Sequence, residues 1–285
     1  LFKEVAVRRF CLRQPGSQVR PRLFDRLYPY LGDNQRLGDF WRAFFLSAGP
    51  PDDPLFSHAP RFQLAAHIKQ FYGEGQRART AGHDALAELR ATLPPAFATW
   101  APEHQAAYLE MTTLLSPYLL SSQGDRMGMA FGVEGRFPFL DHRLYEFAAR
   151  LPVRSKLRGL EEKHMLRRWA TRVVPPSVIA RHKQPYRAPD AASFFGAAAP
   201  AWVDHLLGPA AVKDAGYFTA SAVSGLVKRC RAGQAVGVRE NQTLVAILST
   251  QMWHQTFIEA RQPVAPLALD SADVVLEGAA AVPTV

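Results

Sequence analysis

Residues 125–152 read DRMGMAFGVEGRFPFLDHRLYEFAARLP. The second half carries every signal of a helix. Asp141 offers an N-cap oxygen, and Pro152 stops the element. Between them Leu144, Phe147, Ala148 and Leu151 recur at helical spacing, as a stripe expected to be buried. The first half has another texture. Asp125, Arg126, Glu134 and Arg136 are threaded through Met127, Met129, Phe131, Phe137, Phe139 and glycines. Charges in such company are expected to be partly buried and so to need partners. Two readings stay open: ion pairs that fix two helix ends, or groups beside a functional site.

Helical spacing also dominates outward from this stretch. Between Pro102 and Ser122, Tyr108, Met111, Leu115 and Tyr118 share one face, and Pro117 is expected to kink the helix. Residues 158–174, RGLEEKHMLRRWATRVV, read as a helix opening at Glu161 and stopped by Pro175 and Pro176. Leu166, Trp169, Ala170 and Val173 form its apolar stripe. TASAVSGLVKRCRAG and ENQTLVAILSTQMWHQTF are two further helices. The opening segment, broken by Pro15, Pro21 and Pro29, suits short helices joined by turns. Pro51 to Pro60 and RHKQPYRAPDAASFF suit loops. Residues 262–285 are Ala-, Val- and Pro-rich without periodicity and are expected to form a flexible tail. Strict alternation is scarce, so the chain is expected to be mainly α.

The 285 residues fit one large or two modest domains. A net charge of +9 points to an anionic partner, whether nucleic acid, a membrane surface or a nucleotide. Two cysteines make no disulfide framework, and a reducing, cytoplasmic setting is expected. No apolar run approaches the roughly 20 residues of a membrane span, and no signal-peptide pattern is present.

Generic catalytic signatures are absent. There is no GxxxxGK or GxGxxG loop, no HExxH, and no Cys/His set with zinc spacing. What remains is a concentration of cations: eleven Lys and Arg between Arg150 and Arg187, opposed only by Glu161 and Glu162. The bland reading is a solvated basic face. The sharper one is an anion site, and Lys163 focuses it. Three residues before Leu166, Lys163 falls on the apolar stripe. In the first turn it also meets the positive end of the helix dipole, at a cost of about 0.3–1 kcal/mol. A bound polyphosphate turns both costs into gains. The alternative is a lysine stem that runs past Leu166 to solvent.

These residues carry a resemblance. Residues 125–152 are similar to the segment DRMSMAxxVExRxPFLDHRLVEFAxxLP of the asparagine synthetase family. EEKHMLRRW resembles that family's xKxxLR helix, VVPPSVIARHKQPYRAPD its LPxxIxxRxKxxxxxP stretch, and NQTLVAILSTQMWHQTF its final helix. The motifs occur in order from Ser116 to Phe257, and LFKEVAVRRF resembles the segment that follows the family's GEGADExxxGY loop. The resemblance implies a glutamine-dependent, ATP-using amide ligase. A glutaminase domain with a cysteine nucleophile releases ammonia. A synthetase domain activates a carboxylate, aspartate foremost, as an acyl-adenylate with ATP and Mg2+. By the same resemblance Lys163 contacts the phosphates, while Lys183 and Arg187 lie in a loop that borders the site.

The family's SGGxDS and GEGADE loops do not occur in this sequence, nor does its nucleophilic cysteine; Cys11 stands in another context. The chain opens at Leu1 and is expected to be a later part of a longer polypeptide. The fold expected for residues 1–261 is the helical C-terminal portion of an α/β synthetase domain of the PP-loop ATP pyrophosphatase-like (adenine nucleotide α-hydrolase-like) type. Most ATP and Mg2+ ligands are then expected upstream. The expected partners are the glutaminase and pyrophosphate-loop portion, glutamine, the acid substrate and a second copy in a homodimer, with no nucleic acid and no membrane. One alternative is a natural-product amide or β-lactam synthetase. Another is a non-catalytic basic module for nucleic acid or a protein partner. Against that last reading, basic and aromatic residues are not interleaved as in single-strand binders, and no helix-turn-helix or RRM pattern is present.

Overall fold

The computed structural model describes residues 1–27, 42–47, 49–181, 191–196, 199–234 and 237–260. The described chain is mainly helical. Its only sheet pairs Leu157–Arg158 with Glu161–Glu162, antiparallel, two residues a side.

The main core is built on the 17-residue helix Val238–His254. Thr243, Leu244, Ile247, Leu248 and Gln251 recur every three or four residues there, and all five are buried. The helices Ala201–Leu206, Pro209–Ala215 and Ala220–Arg231 pack on it and contribute Val203, Leu206, Val212, Val223 and Leu226. Gly216, at φ +73°, supplies the left-handed turn that ends the second of these. Phe71 and Phe218 join the same cluster, and a single antiparallel bridge links Tyr72 to Phe218. The two helices expected from the sequence here are present, as Ala220–Arg231 and Val238–His254. The others in this cluster, being five to seven residues long, carry too few repeats to show a period.

Two smaller cores lie toward the N-terminus. Val7 and Cys11 of the Phe2–Leu12 helix pack with Phe24 and Phe45. Leu55, Phe97 and Leu109 form the other. The proline-rich segment after Pro50 is indeed a set of turns up to His58, and the helix Ala59–Ala66 then begins, with Pro60 in its first turn. Between the cores sits Arg8, wholly buried, with its guanidinium over the Phe56 ring at 3.9 Å.

The long helix expected from Pro102 forms but changes winding. Pro102–Glu110 is α, Met111–Asp125 is π, and Arg126–Ala130 is α again. Pro117, where a kink is expected, lies inside the π segment. Proline has no N–H for the α ladder. The hydroxyls of Thr112 and Thr113 also return to the carbonyls of Tyr108 and Leu109, at 2.9 and 2.6 Å. Wider winding spreads the fault over several residues.

From residue 111 to residue 181 nothing is buried. The helix His142–Arg150 forms as expected, and the Asp141 side chain accepts from the Arg143 N–H at 2.9 Å. Its stripe is not buried, however: Phe147 is 60% exposed. Phe131 and Phe139 are 83% and 70% exposed, so the charges among them are not buried either. Leu160 alone of this segment packs against one of the described N-terminal cores, and helical periodicity reports which face is apolar, not whether another layer covers it. The expected tail, 262–285, lies outside the described residues.

Candidate functional site

The backbone around Lys163 differs from the expected helix start. Glu161 and Glu162 belong to the short hairpin, whose turn uses Gly159 at φ +60°. The helix begins later, at His164, and runs to Ala170. Lys163 is its N-cap, at φ 57° and ψ 32°. Among the described residues it is the one non-glycine with positive φ. For a residue with a Cβ this conformation costs about 1–2 kcal/mol. The hairpin explains the displacement: two residues committed to strand pairing cannot also begin a helix, and one left-handed residue reverses the chain between them.

Lys163 is exposed, and its carbonyl accepts the Arg167 N–H at 2.8 Å. The apolar stripe is exposed with it. Trp169 is 56% exposed, and Leu166 and Val173 are also open. The helix is tied to its neighbour by Arg167, which donates to the Ile179 carbonyl at 2.5 Å. His164 Nδ1 meets Glu161 Oε2 at 2.5 Å, and Lys3 pairs with Glu162 at 3.4 Å.

The other sequence candidates divide. Glu134 and Arg136 are brought together, Arg136 donating at 2.9 Å, in an exposed pair two residues apart. Asp125 ends the π-helix and Arg126 starts the next helix; both are exposed, and neither has an ion pair among the described residues. The reading of ion pairs fixing two helix ends therefore holds for neither of them. Beyond Glu134 and Arg136, the next ion pair along the described chain lies at the start of a single helix, His142–Arg150. Asp141 accepts from the Arg143 side chain at 2.6 and 3.0 Å, and this bond with the backbone N–H holds its carboxyl below the usual range. Among the described residues no hydrogen bond or ion pair joins Lys163 to Asp125, Arg126, Glu134 or Arg136. Lys183 and Arg187 lie outside the described residues.

One polar network escaped the sequence reading because its members are far apart in the chain. Ser57 Oγ lies 2.9 Å from His58 Nδ1, His58 Nε2 lies 3.0 Å from Glu110 Oε2, and Arg61 donates to the same oxygen at 2.9 Å. His58 is fully buried. The network resembles a Ser-His-acid relay in composition only. Ser57 is itself buried, with its hydroxyl against the His58 ring.

The charged groups of residues 150–181 suit phosphate oxygens. The Lys and Arg side chains do not suit Mg2+, and among the described residues no group of three His, Cys, Asp or Glu is placed to hold a metal. No described helix is long and apolar enough to cross a membrane.

Comparison with known proteins agrees with the motif order. The sequence model of the family described as asparagine synthase matches residues 25–255. The chain is 34% identical over 96 residues to Amidase chry2 of Gibberella zeae, covering 32% of this chain and 14% of that protein. It is 35% identical over 82 residues to Asparagine synthetase [glutamine-hydrolyzing] 3 of Bacillus subtilis, covering 29% and 13%. It is 27% identical over 163 residues to a putative asparagine synthetase [glutamine-hydrolyzing] of Mycobacterium tuberculosis, covering 57% and 24%. The chain thus spans a quarter or less of the length of these curated relatives. No solved structure matches it.

Proposed function

Because the chain belongs to the asparagine synthase family, we propose that it is the helical, C-terminal part of an ATP-dependent amide ligase. In this reading a carboxylate is activated with ATP and converted to its amide by ammonia drawn from glutamine. Aspartate is the first candidate acid. A second candidate is a carboxylate other than aspartate, as in a natural-product amide or β-lactam synthetase; the likeness to an amidase leaves room for it.

The observation that carries this reading is Lys163. A lysine held in a strained left-handed conformation, exposed, inside a run of eleven cations, is poorly explained by packing. In this reading its ammonium neutralises phosphate charge that grows as the carboxylate is activated. Bound ATP supplies the activating phosphoryl chemistry. The chain's own contribution is a preorganised positive charge, together with a helix held in place by Arg167.

The test is Lys163→Ala in the full-length protein, following pyrophosphate and glutamate release side by side. Loss of a preorganised charge of this kind typically lowers rate by roughly 10²–10³. Pyrophosphate release is expected to fall by that factor while glutamate release stays near its original rate. Equal loss of both, or loss of neither, overturns the assignment.

A further inference from the structure

The basic run does more than surround Lys163. A cavity of about 550 Å³ opens between two walls. The helix Val153–Lys156 and the strand after it contribute Arg154 and Arg158. The helix His164–Ala170 and the turn that follows contribute His164, Arg168, Trp169 and Arg172. His164 and Arg168 are four apart and so fall on one face of the helix, and Arg172 follows in the turn. Lys163 does not line the cavity.

No carboxylate lines it. Elsewhere Arg42, Arg61, Arg90, Arg136 and Arg143 each hold an acid within 2.9 Å. The four cleft arginines have no ion-pair partner among the described residues. The two acids nearest in sequence are engaged, Glu161 by His164 and Glu162 by Lys3. Four like charges around one cavity repel one another, and a multivalent anion reverses the sign. Guanidinium forks match phosphate oxygens. The volume falls in the range of about 300–1,000 Å³ usual for small-ligand sites, and the Trp169 indole offers a flat surface beside the charges.

We propose that this cleft is a binding site for an oligophosphate anion, separate from Lys163 and held by Arg154, Arg158, Arg168 and Arg172. Free pyrophosphate and the phosphate tail of a nucleotide share this chemistry. The proposal does not depend on the function assigned to Lys163.

The test titrates inorganic pyrophosphate, and separately ADP, into full-length Lys163→Ala protein by calorimetry and tryptophan fluorescence. Phosphate bound through Lys163 then makes no contribution. The equivalent of pyrophosphate bound in the cleft is identified by its dependence on the four arginines. Its affinity is expected to fall at least tenfold in Arg168→Gln/Arg172→Gln and also in Arg154→Gln/Arg158→Gln, and to fall with added salt. Tighter binding of ADP points to a nucleotide whose ring lies on Trp169; equal binding points to the free anion. A readout that needs no arginine variant is protection of the four arginines from phenylglyoxal by pyrophosphate, mapped by mass spectrometry. Undiminished affinity in both arginine pairs, absence of protection, or binding of single-stranded RNA without pyrophosphate binding overturns the proposal.

Discussion

His58 Nε2 lies 3.0 Å from Glu110 Oε2, joining the start of the Ala59–Ala66 helix to the end of the Pro102–Glu110 helix across 52 residues of sequence. Burial alone raises the Glu110 pKa, but hydrogen bonds from His58 and Arg61 outweigh it and lower the value from 4.5 to about 2. With the carboxylate ionised, the His58 Nε2–H and the Arg61 guanidinium both donate to it. A depressed carboxylate stabilises the fold fully above its unfolded pKa and loses that contribution as pH falls. The expected loss runs from about pH 4.5 down toward 2. Glu110→Gln is expected to cost about 1.5–3 kcal/mol at pH 7, the usual worth of hydrogen bonds to a charged group. It should also flatten the acid limb. Urea unfolding of the full-length protein between pH 7 and 3 measures both, and an unchanged acid limb would falsify the role.

Lys163→Gly separates strain from chemistry. Glycine adopts positive φ freely, so this variant is expected to be more stable than wild type by about 1 kcal/mol. It should be as deficient in amide synthesis as Lys163→Ala, which keeps the strain. Lys163→Arg is expected to rescue poorly, because a planar fork does not reproduce a compact ammonium. Thermal unfolding set beside pyrophosphate release is the measurement. A glycine variant less stable than wild type contradicts the strain.

Arg8 donates from Nε to the Phe45 carbonyl at 2.9 Å and from Nη1 to the Phe56 carbonyl at 2.7 Å, with Glu4 at 3.8 Å. It ties three segments of the N-terminal half together while lying wholly inside it. Arg8→Met removes one member of a buried charged cluster, which typically costs about 3–5 kcal/mol. Arg8→Lys is expected to recover little, since one ammonium cannot span both carbonyls. Denaturant midpoints of the two variants test this, and a loss below 1 kcal/mol in Arg8→Met speaks against the tie.

Neither cysteine suits nucleophilic work. Cys11 and Cys230 are both buried, and burial pushes both thiols up. Arg20 and Arg229 oppose that rise without cancelling it. The thiolate is the reactive form. The 285-residue chain is therefore expected to release no glutamate from glutamine. Both thiols are expected to alkylate slowly with iodoacetamide until the chain is unfolded. Rapid native alkylation of Cys11 is the contrary result.

Phe131, Phe139 and Phe147 are each 60% exposed or more, and no buried residue lies between positions 111 and 181. Large aromatic side chains left open in this way mark a docking face. The 285-residue chain alone is expected to bind a hydrophobic dye and to self-associate. A monodisperse monomer with no dye signal refutes this.

The sequence by itself determined the mainly helical class, the family, the cap at Asp141 and the helices at Ala220–Arg231 and Val238–His254. Each rests on local physics: apolar residues every three or four positions over many turns, a carboxylate before a helix, a proline after it. It also pointed to the basic run and to Lys163 within it. Only the tertiary structure decided the rest. Strand pairing of Leu157–Arg158 with Glu161–Glu162 moved the helix start past Lys163 and left that residue in the left-handed region. The arginines on either side of the hairpin met in one cleft because the chain turned back on itself. His58, Arg61 and Glu110 met because two helices packed together, and no spacing along the chain encodes that. The stripe in His142–Arg150 stayed exposed because a period defines which face is apolar, while burial requires a second surface laid against it.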